Sequence, residues 1–234
     1  RLSRVDDMLM TGKRHDFIVD YEVGFDDQGL IQGVVIDFAA RCGYSLDLSK
    51  AIISRTLFHA DNAYYLPNAS FRGFLCKTHT ASNTAFRGFG GPQGMLAIEN
   101  IIEEIANHLS MDAFDVRTSN FYQQQTNNVT PYGQTIEDNI INELTDELAA
   151  GVNYQQRRQA VKQFNLENTY LKKGLALSPV KFGISFTKRF LNQAGALVHI
   201  YKDGSIYLNH GGTEMGQGLF VKIAQVVANE FGVE

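Results

Sequence analysis

The sequence predicts an α+β fold, and three observations carry that expectation. Apolar and polar residues alternate over residues 15–40, and strand-like runs return after Tyr170, the period-2 pattern of half-buried strands. Between them, residues 95–109 and 136–148 place apolar side chains three and four apart, the pattern of amphipathic helices. A glycine-rich loop also feeds a helix twice, at 88–95 and at 211–219. These features divide the chain into a first α+β portion at 1–130, a helical connection at 131–170 and a second hairpin-and-helix portion at 171–234.

The first strand alternates Phe17, Val19, Tyr21 and Val23 with polar neighbours. Asp26-Asp27-Gln28-Gly29 supplies turn residues, and Leu30 to Phe38 returns as its partner. Residues 41–70 read as irregular apart from a short helix near Leu48–Leu57. Arg55 lies in that helix among Ile52, Ile53, Leu57 and Phe58. An arginine in such a setting is commonly a surface side chain with its stem on apolar ground. Buried, it would need a partner, because it does not lose its charge. Ile98, Ile101, Ile102, Ile105 and Leu109 mark the next helix, and Ser110 is read as the cap of another through Phe121. Thr135 is read as the cap of a helix ending at Gly151, and a charged helix runs from Asn153 to Asn168. Lys173 to Thr187 reads as a strand, Ala194–Ile200 and Ser205–His210 as a hairpin, and Leu219–Phe231 as the last helix.

Composition bounds the function. With 44% apolar residues and a net charge of −4, the chain suits a packed globular protein and not a nucleic-acid or anionic-membrane surface. Nothing approaches a membrane span of about 20 apolar residues, nor is a secretory leader visible. Cys42 and Cys76 form neither a disulfide framework nor a metal-spaced set, and both read as small buried side chains. A reduced, cytoplasmic setting is expected. The six histidines show no metal-binding pair.

The chemistry gathers at Thr80 to Gln93. Arg87 stands between Phe86 and Phe89, followed by Gly90, Gly91 and Pro92 at a helix start. Arginine, flat rings and free helix-terminal N–H groups suit an anionic, planar ligand. A glycine-proline helix start over core phenylalanines is the other reading. The second loop, Gly211 to Gly218, lacks both the P-loop and dinucleotide fingerprints. Its amides and Gln217 suit a phosphate; a tight strand-to-helix connection is the alternative. Glu214 reads as a loop cap or a solvated carboxylate before it reads as a general base.

Seven stretches, in order along the chain, resemble the molybdenum-binding portion of the xanthine dehydrogenase family of molybdenum hydroxylases. They are Gly12–His15, Leu57–Asn62, Leu75–Thr78, Ser82–Gln93, Lys181–Thr187, Phe190–Ala196 and Gly211–Gly218. The resemblance implies part of a two-lobed molybdopterin-binding domain. It implies hydroxylation of hypoxanthine to xanthine and of xanthine to urate, with related aldehyde oxidases as the nearest alternative. Further along, it implies FAD, 2Fe-2S clusters and NAD, carried by a partner domain or subunit, and an oligomer.

Position by position, the resemblance implies that Arg55 stabilises charge developing on a purine. Phe89 and Phe186 would hold the ring, Thr187 would hydrogen-bond the substrate, and Leu191 would line its pocket. Phe86, Arg87, Gly88, Gly216 and Gln217 are the implied cofactor residues, with the Arg87 main chain near molybdenum. The family's base glutamate and an upstream glycine-rich motif have no counterpart here. The chain is therefore expected to hold part of a pocket, to bind little molybdenum and to turn over no purine by itself.

Overall fold

The computed structural model describes residues 1–233. It divides into two units, the first Arg1–Gly183 and the second from Ile184 onward. The expected mixture of strands and helices forms, with a mixed sheet in the first unit and a hairpin in the second.

The first unit opens with a short helix α1 (Arg4–Met10), capped by Ser3 and unmarked by any apolar period. Strands β1 (Phe17–Phe25) and β2 (Ile31–Gly43) form the predicted antiparallel hairpin. At its turn the Asp26 carboxylate accepts from the Gln28 and Leu30 amides, and Gly29 takes φ +78°. A helix, α2 (Ser49–Phe58), then crosses to β3 (Ala69–Lys77), which lies parallel to β2 in the order β1-β2-β3. β3 falls partly inside the stretch read as irregular. Its alternation is broken at Gly73, where a Cβ would stand 2.6 Å from Ile53 Cγ1, so the close approach of α2 hides the strand pattern. Cys42 is buried as expected, whereas Cys76 on β3 is exposed.

The core lies between β2 and helix α3 (Gly91–Leu109). Ile36, Phe38, Ile98, Ile101, Ile102 and Ile105 are fully buried there. Ser110 does not cap the next helix: at φ +57° it closes α3 in the left-handed conformation. Asp112 instead caps α4 (Ala113–Asn120), accepting from the Phe114 amide. α5 (Ile141–Gly151) starts later than Thr135, and α6 (Tyr154–Glu167) follows as read.

Residues 171–183 form no strand. Pro179 lacks a ladder donor, and this backbone bonds to side chains instead, to Asn165 and Arg158 of α6 at Lys173 and Leu175 and to groups just after α2 further on. Asn62 Nδ2 donates to the Pro179 carbonyl at 3.0 Å, and the Lys181 amide donates to Asn62 Oδ1 at 3.1 Å. Such bonds take the place of part of a sheet ladder. The second unit holds the antiparallel pair β4 (Ala196–Ile200) and β5 (Ile206–His210), then α7 (Leu219–Phe231).

Candidate functional site

Arg55 is buried, not a surface side chain, with 5% of its area exposed in the last turn of α2. Its guanidinium carbon lies 5.3 Å from the Phe182 ring centre and 6.0 Å from that of Phe89. Arginine over aromatic faces is stabilised by the negative ring quadrupole. Arg55 Nη1 donates to the Gly183 carbonyl. A charge is thereby kept in an apolar surrounding by two rings and a backbone dipole, which burial alone would oppose. Burial lowers its pKa, yet an arginine stays protonated.

Phe89 reaches this place through strained backbone. It sits at φ +50° between Gly88 at +95° and Gly90 at +97°, a run of left-handed residues that turns the chain sharply into α3. The glycines also serve packing. A Cβ on Gly90 would lie 2.2 Å from the Ile52 carbonyl oxygen, and one on Gly94 would lie 2.3 Å from that of Thr56. A Cβ on Gly91 would strike the Phe182 ring at 2.5 Å. Close approach of α2, α3 and Phe182 therefore accounts for Gly90, Gly91 and Gly94, and at Gly88 a Cβ would strike Pro92 at 2.5 Å. Phe86 and Arg87 are exposed, so Phe86 is not a core phenylalanine. Arg14 lies across the Phe86 ring at 4.2 Å and donates from Nη2 to the Arg87 carbonyl at 2.7 Å.

A second set of residues, missed as site members from sequence, supports Arg55. His59 packs on Phe182 with ring centres 4.8 Å apart. Lys181 donates to the fully buried Asp61 at 2.6 Å, and Tyr122 donates to the same oxygen at 2.7 Å. Burial raises the Asp61 pKa, while Lys181 and Tyr122 pull it down. Their sequence signal was present: His59, Asp61, Lys181, Phe182 and Gly183 all fall in stretches that carry the family resemblance. Arg14 lies in another.

In the second unit Asn192 braces Phe186 from both sides. The Phe186 amide donates to Asn192 Oδ1 at 2.6 Å, and Asn192 Nδ2 donates back to the Phe186 carbonyl at 2.9 Å. Thr187 follows within this turn, and Leu191 is exposed in a single 3₁₀ turn, Arg189–Leu191. In the second glycine loop, Glu214 accepts from the amides of Gly216, Gly218 and Phe220 at 2.7–3.2 Å. Glu214 thus holds the amides leading into α7, whose N-cap residue is Gly218. Slight desolvation works the other way, but these amides hold its carboxyl below the usual range. Gln217 turns inward as well, donating to the Thr213 carbonyl at 2.8 Å.

The two loops differ in their fit to an anionic group. At the first, Arg14 Nη1 is buried without an acceptor in the protein, and a Cβ on Gly88 would lie 3.8 Å from it. That unspent donor beside exposed backbone fits a phosphate or another oxygen-rich group. At the second, a phosphate would bind the same amides that Glu214 holds, so it fits only with Glu214 turned away.

Among the described residues no cluster of histidine, cysteine, aspartate or glutamate is arranged to bind a metal ion. Nor is any helix among them long and apolar enough to cross a membrane.

Comparison with known proteins gives the family and the fold. A family model described as a molybdopterin cofactor-binding domain matches residues 1–121, and a second of the same description matches residues 147–234. Over 232 residues the chain is 49% identical to xanthine dehydrogenase of Dictyostelium discoideum, covering 99% of this chain and 17% of that protein. Over 227 residues it is 48% identical to xanthine dehydrogenase/oxidase of Mus musculus, covering 97% of this chain and 17% of that protein. The chain thus spans about a sixth of the length of these curated relatives. Quinoline 2-oxidoreductase from Pseudomonas putida 86 shares the fold, with a TM-score of 0.76 at 19% identity over 97% of this chain and 30% of that one.

Proposed function

Since the chain belongs to the family of molybdopterin cofactor-binding domains, we propose that it forms part of a molybdenum hydroxylase acting on purines. The reaction is hydroxylation of hypoxanthine to xanthine and of xanthine to urate. The observation that carries this reading is the burial of Arg55 between Phe182 and Phe89 with its guanidinium anchored on Gly183. A fixed cation against aromatic faces is costly to build and suits a flat substrate that gains negative charge as it reacts. Relatives with xanthine dehydrogenase activity by name, 45–49% identical over nearly the whole chain, support the same substrate class.

The bound molybdenum–pterin group supplies the oxygen-transfer and two-electron chemistry. This chain supplies orientation and charge. Arg55 stabilises the developing anion. Phe89, Phe186, Thr187 and Leu191 are assigned to the substrate. Phe86, Arg87 and Gly88 are assigned to the cofactor, with Arg14 as an added donor, and so are Gly216 and Gln217 once Glu214 turns away. FAD, 2Fe-2S clusters and NAD belong to the remainder of the enzyme, which we place in the cytoplasm as an oligomer.

The test is Arg55→Met in the full-length, molybdenum-loaded enzyme, with xanthine and an aromatic aldehyde compared side by side. Loss of one charge-assisted contact made in the transition state should lower xanthine turnover by about two to three decades while aldehyde turnover survives. Wild-type enzyme that ignores xanthine, or equal loss on both substrates, would overturn the assignment.

A further inference from the structure

Three hydrogen bonds form a closed circuit around Arg55. Its Nη1–H donates to the Gly183 carbonyl. The Gly183 amide donates to His59 Nε2 at 3.0 Å. His59 Nδ1 stands 2.8 Å from the Arg55 carbonyl. The partners settle the imidazole proton. A carbonyl only accepts, so Nδ1 carries the hydrogen; an amide N–H only donates, so Nε2 must offer its lone pair. The circuit closes only with neutral His59 in that single tautomer.

We propose that His59 is a positioning residue for Arg55, clamping the Phe182-Gly183 backbone against α2 so that the guanidinium is held at one place and one orientation. The inference rests on the purine reading above for its functional consequence, and on the geometry alone for the clamp. Arg55 and His59 are one helical turn apart, whereas Gly183 is 124 residues further along the chain. His59 therefore joins the helix to a segment that has no strand ladder of its own. Removing it leaves the Gly183 amide without its acceptor and frees the carbonyl that Arg55 uses.

The charged groups around the imidazole favour the neutral form. Arg55 on α2 and Lys181 on the clamped segment face it as cations. Asp61 is bound to Lys181, and Glu99 on α3 is engaged by Asn62 and Tyr64. Burial, then the two cations, lower the His59 pKa, against a raising effect of its bond to the Arg55 carbonyl. The unfolded chain takes up this proton at higher pH than the folded one. The clamp's stabilisation is thus complete above the ordinary imidazole pKa and drains away as pH falls below it toward the lowered folded value.

The experiment uses the full-length holoenzyme as wild type, His59→Gln and His59→Leu. Amide hydrogen exchange of the peptide containing Gly183 is followed as protection relative to the intrinsic rate, beside cofactor content and the purine-to-aldehyde ratio of kcat/KM. We expect roughly tenfold loss of Gly183 protection in His59→Leu. Purine kcat/KM should fall by about ten- to a hundredfold, mainly in kcat, with aldehyde turnover and cofactor content retained. His59→Gln, which keeps an acceptor, should lie between. Wild-type protection at Gly183 should itself fall at acid pH, a readout that needs neither turnover nor a variant, and His59→Leu should show no such step. Unchanged Gly183 protection in His59→Leu overturns the clamp. So does a fall on both substrates together with cofactor loss, which would make His59 part of the general fold. If wild type ignores purines, the purine reading fails, while Gly183 protection still decides the clamp.

Discussion

Removing the cation of the buried Arg117 network should unfold more of the protein's stability than any surface ion pair. Arg117 is 2% exposed and donates from Nε to Glu99 at 2.8 Å and from Nη2 to Glu103 at 2.7 Å. Burial alone would lower its pKa, but the bonds to Glu103 and Glu99 outweigh that and raise it. Glu99 is itself mostly buried at 15% and also accepts from Asn62 Nδ2 and the Tyr64 hydroxyl. In Arg117→Met these two neutral donors remain, and the carboxylate loses its counter-charge. An uncompensated buried charge costs about 3–5 kcal/mol. Glu103 is 44% exposed, so Glu103→Gln should cost about 0–1 kcal/mol. Arg117→Met with Glu99→Met removes both charges and should recover most of the loss. Urea unfolding gives the free energies, with unchanged m-values confirming that stability alone moved. At about 2–4 °C per kcal/mol for a unit of this size, thermal midpoints should fall by roughly 6–20 °C in Arg117→Met. An Arg117→Met within about 1 kcal/mol of Glu103→Gln, or a double variant as unstable as the sum of its parts, would refute the reasoning.

Two further outcomes test the packing and the caps. Gly94→Ala must separate α3 from α2, since its Cβ would lie 2.3 Å from the Thr56 carbonyl oxygen; a loss of about 1–3 kcal/mol is expected, whereas Gly174→Ala, with nothing within 4 Å, should be neutral or slightly stabilising by urea unfolding. Asp112 is partly desolvated, but the Phe114 amide, Arg158 and Tyr154 outweigh that and hold its carboxyl below the usual range; its stabilisation should be complete above the ordinary carboxylate pKa and lost as pH falls through the folded value, and Asp112→Ala should remove about 0.5–2 kcal/mol of capping together with the acid step in stability.

Much of the fold could be read because its signals are local. The hairpin of β1 and β2 alternates cleanly, and Asp26 to Gly29 supplies its turn chemistry. Isoleucines at helical spacing placed α3 against the sheet. Two of the failures come from partners distant in sequence, and a third from local competition between caps. β3 lost its alternation to Gly73, which exists for Ile53 some twenty residues earlier. Residues 171–183 look like a strand by composition, but their backbone is bound by side chains, Asn165, Arg158, Asn62 and His59, instead of by a ladder. Ser110 and Asp112 are both good caps by type; the left-handed turn that ends α3 takes the first and leaves the second.

The same division runs through the candidate site. Arg55 stood out by type and position, yet its burial was not legible, because the groups that make burial tolerable are Phe89, Phe182 and the Gly183 carbonyl. A guanidinium in apolar surroundings is permitted only by what comes to meet it. Here that is a segment with few internal hydrogen bonds of its own, held down by His59, Asp61 and Asn62 at the end of the same helix that carries Arg55. The helix thus brings both the charge and the groups that fasten its counterpart. A substitution at His59 or Asn62 should therefore disturb the segment that meets Arg55 without touching any ligand. The loop glycines are structural in the same way: Gly90, Gly91 and Gly94 let α2, α3 and Phe182 close around the cation, a Cβ on Gly88 would strike Pro92 at 2.5 Å, and beside them Arg14 Nη1 is buried without an acceptor in the protein.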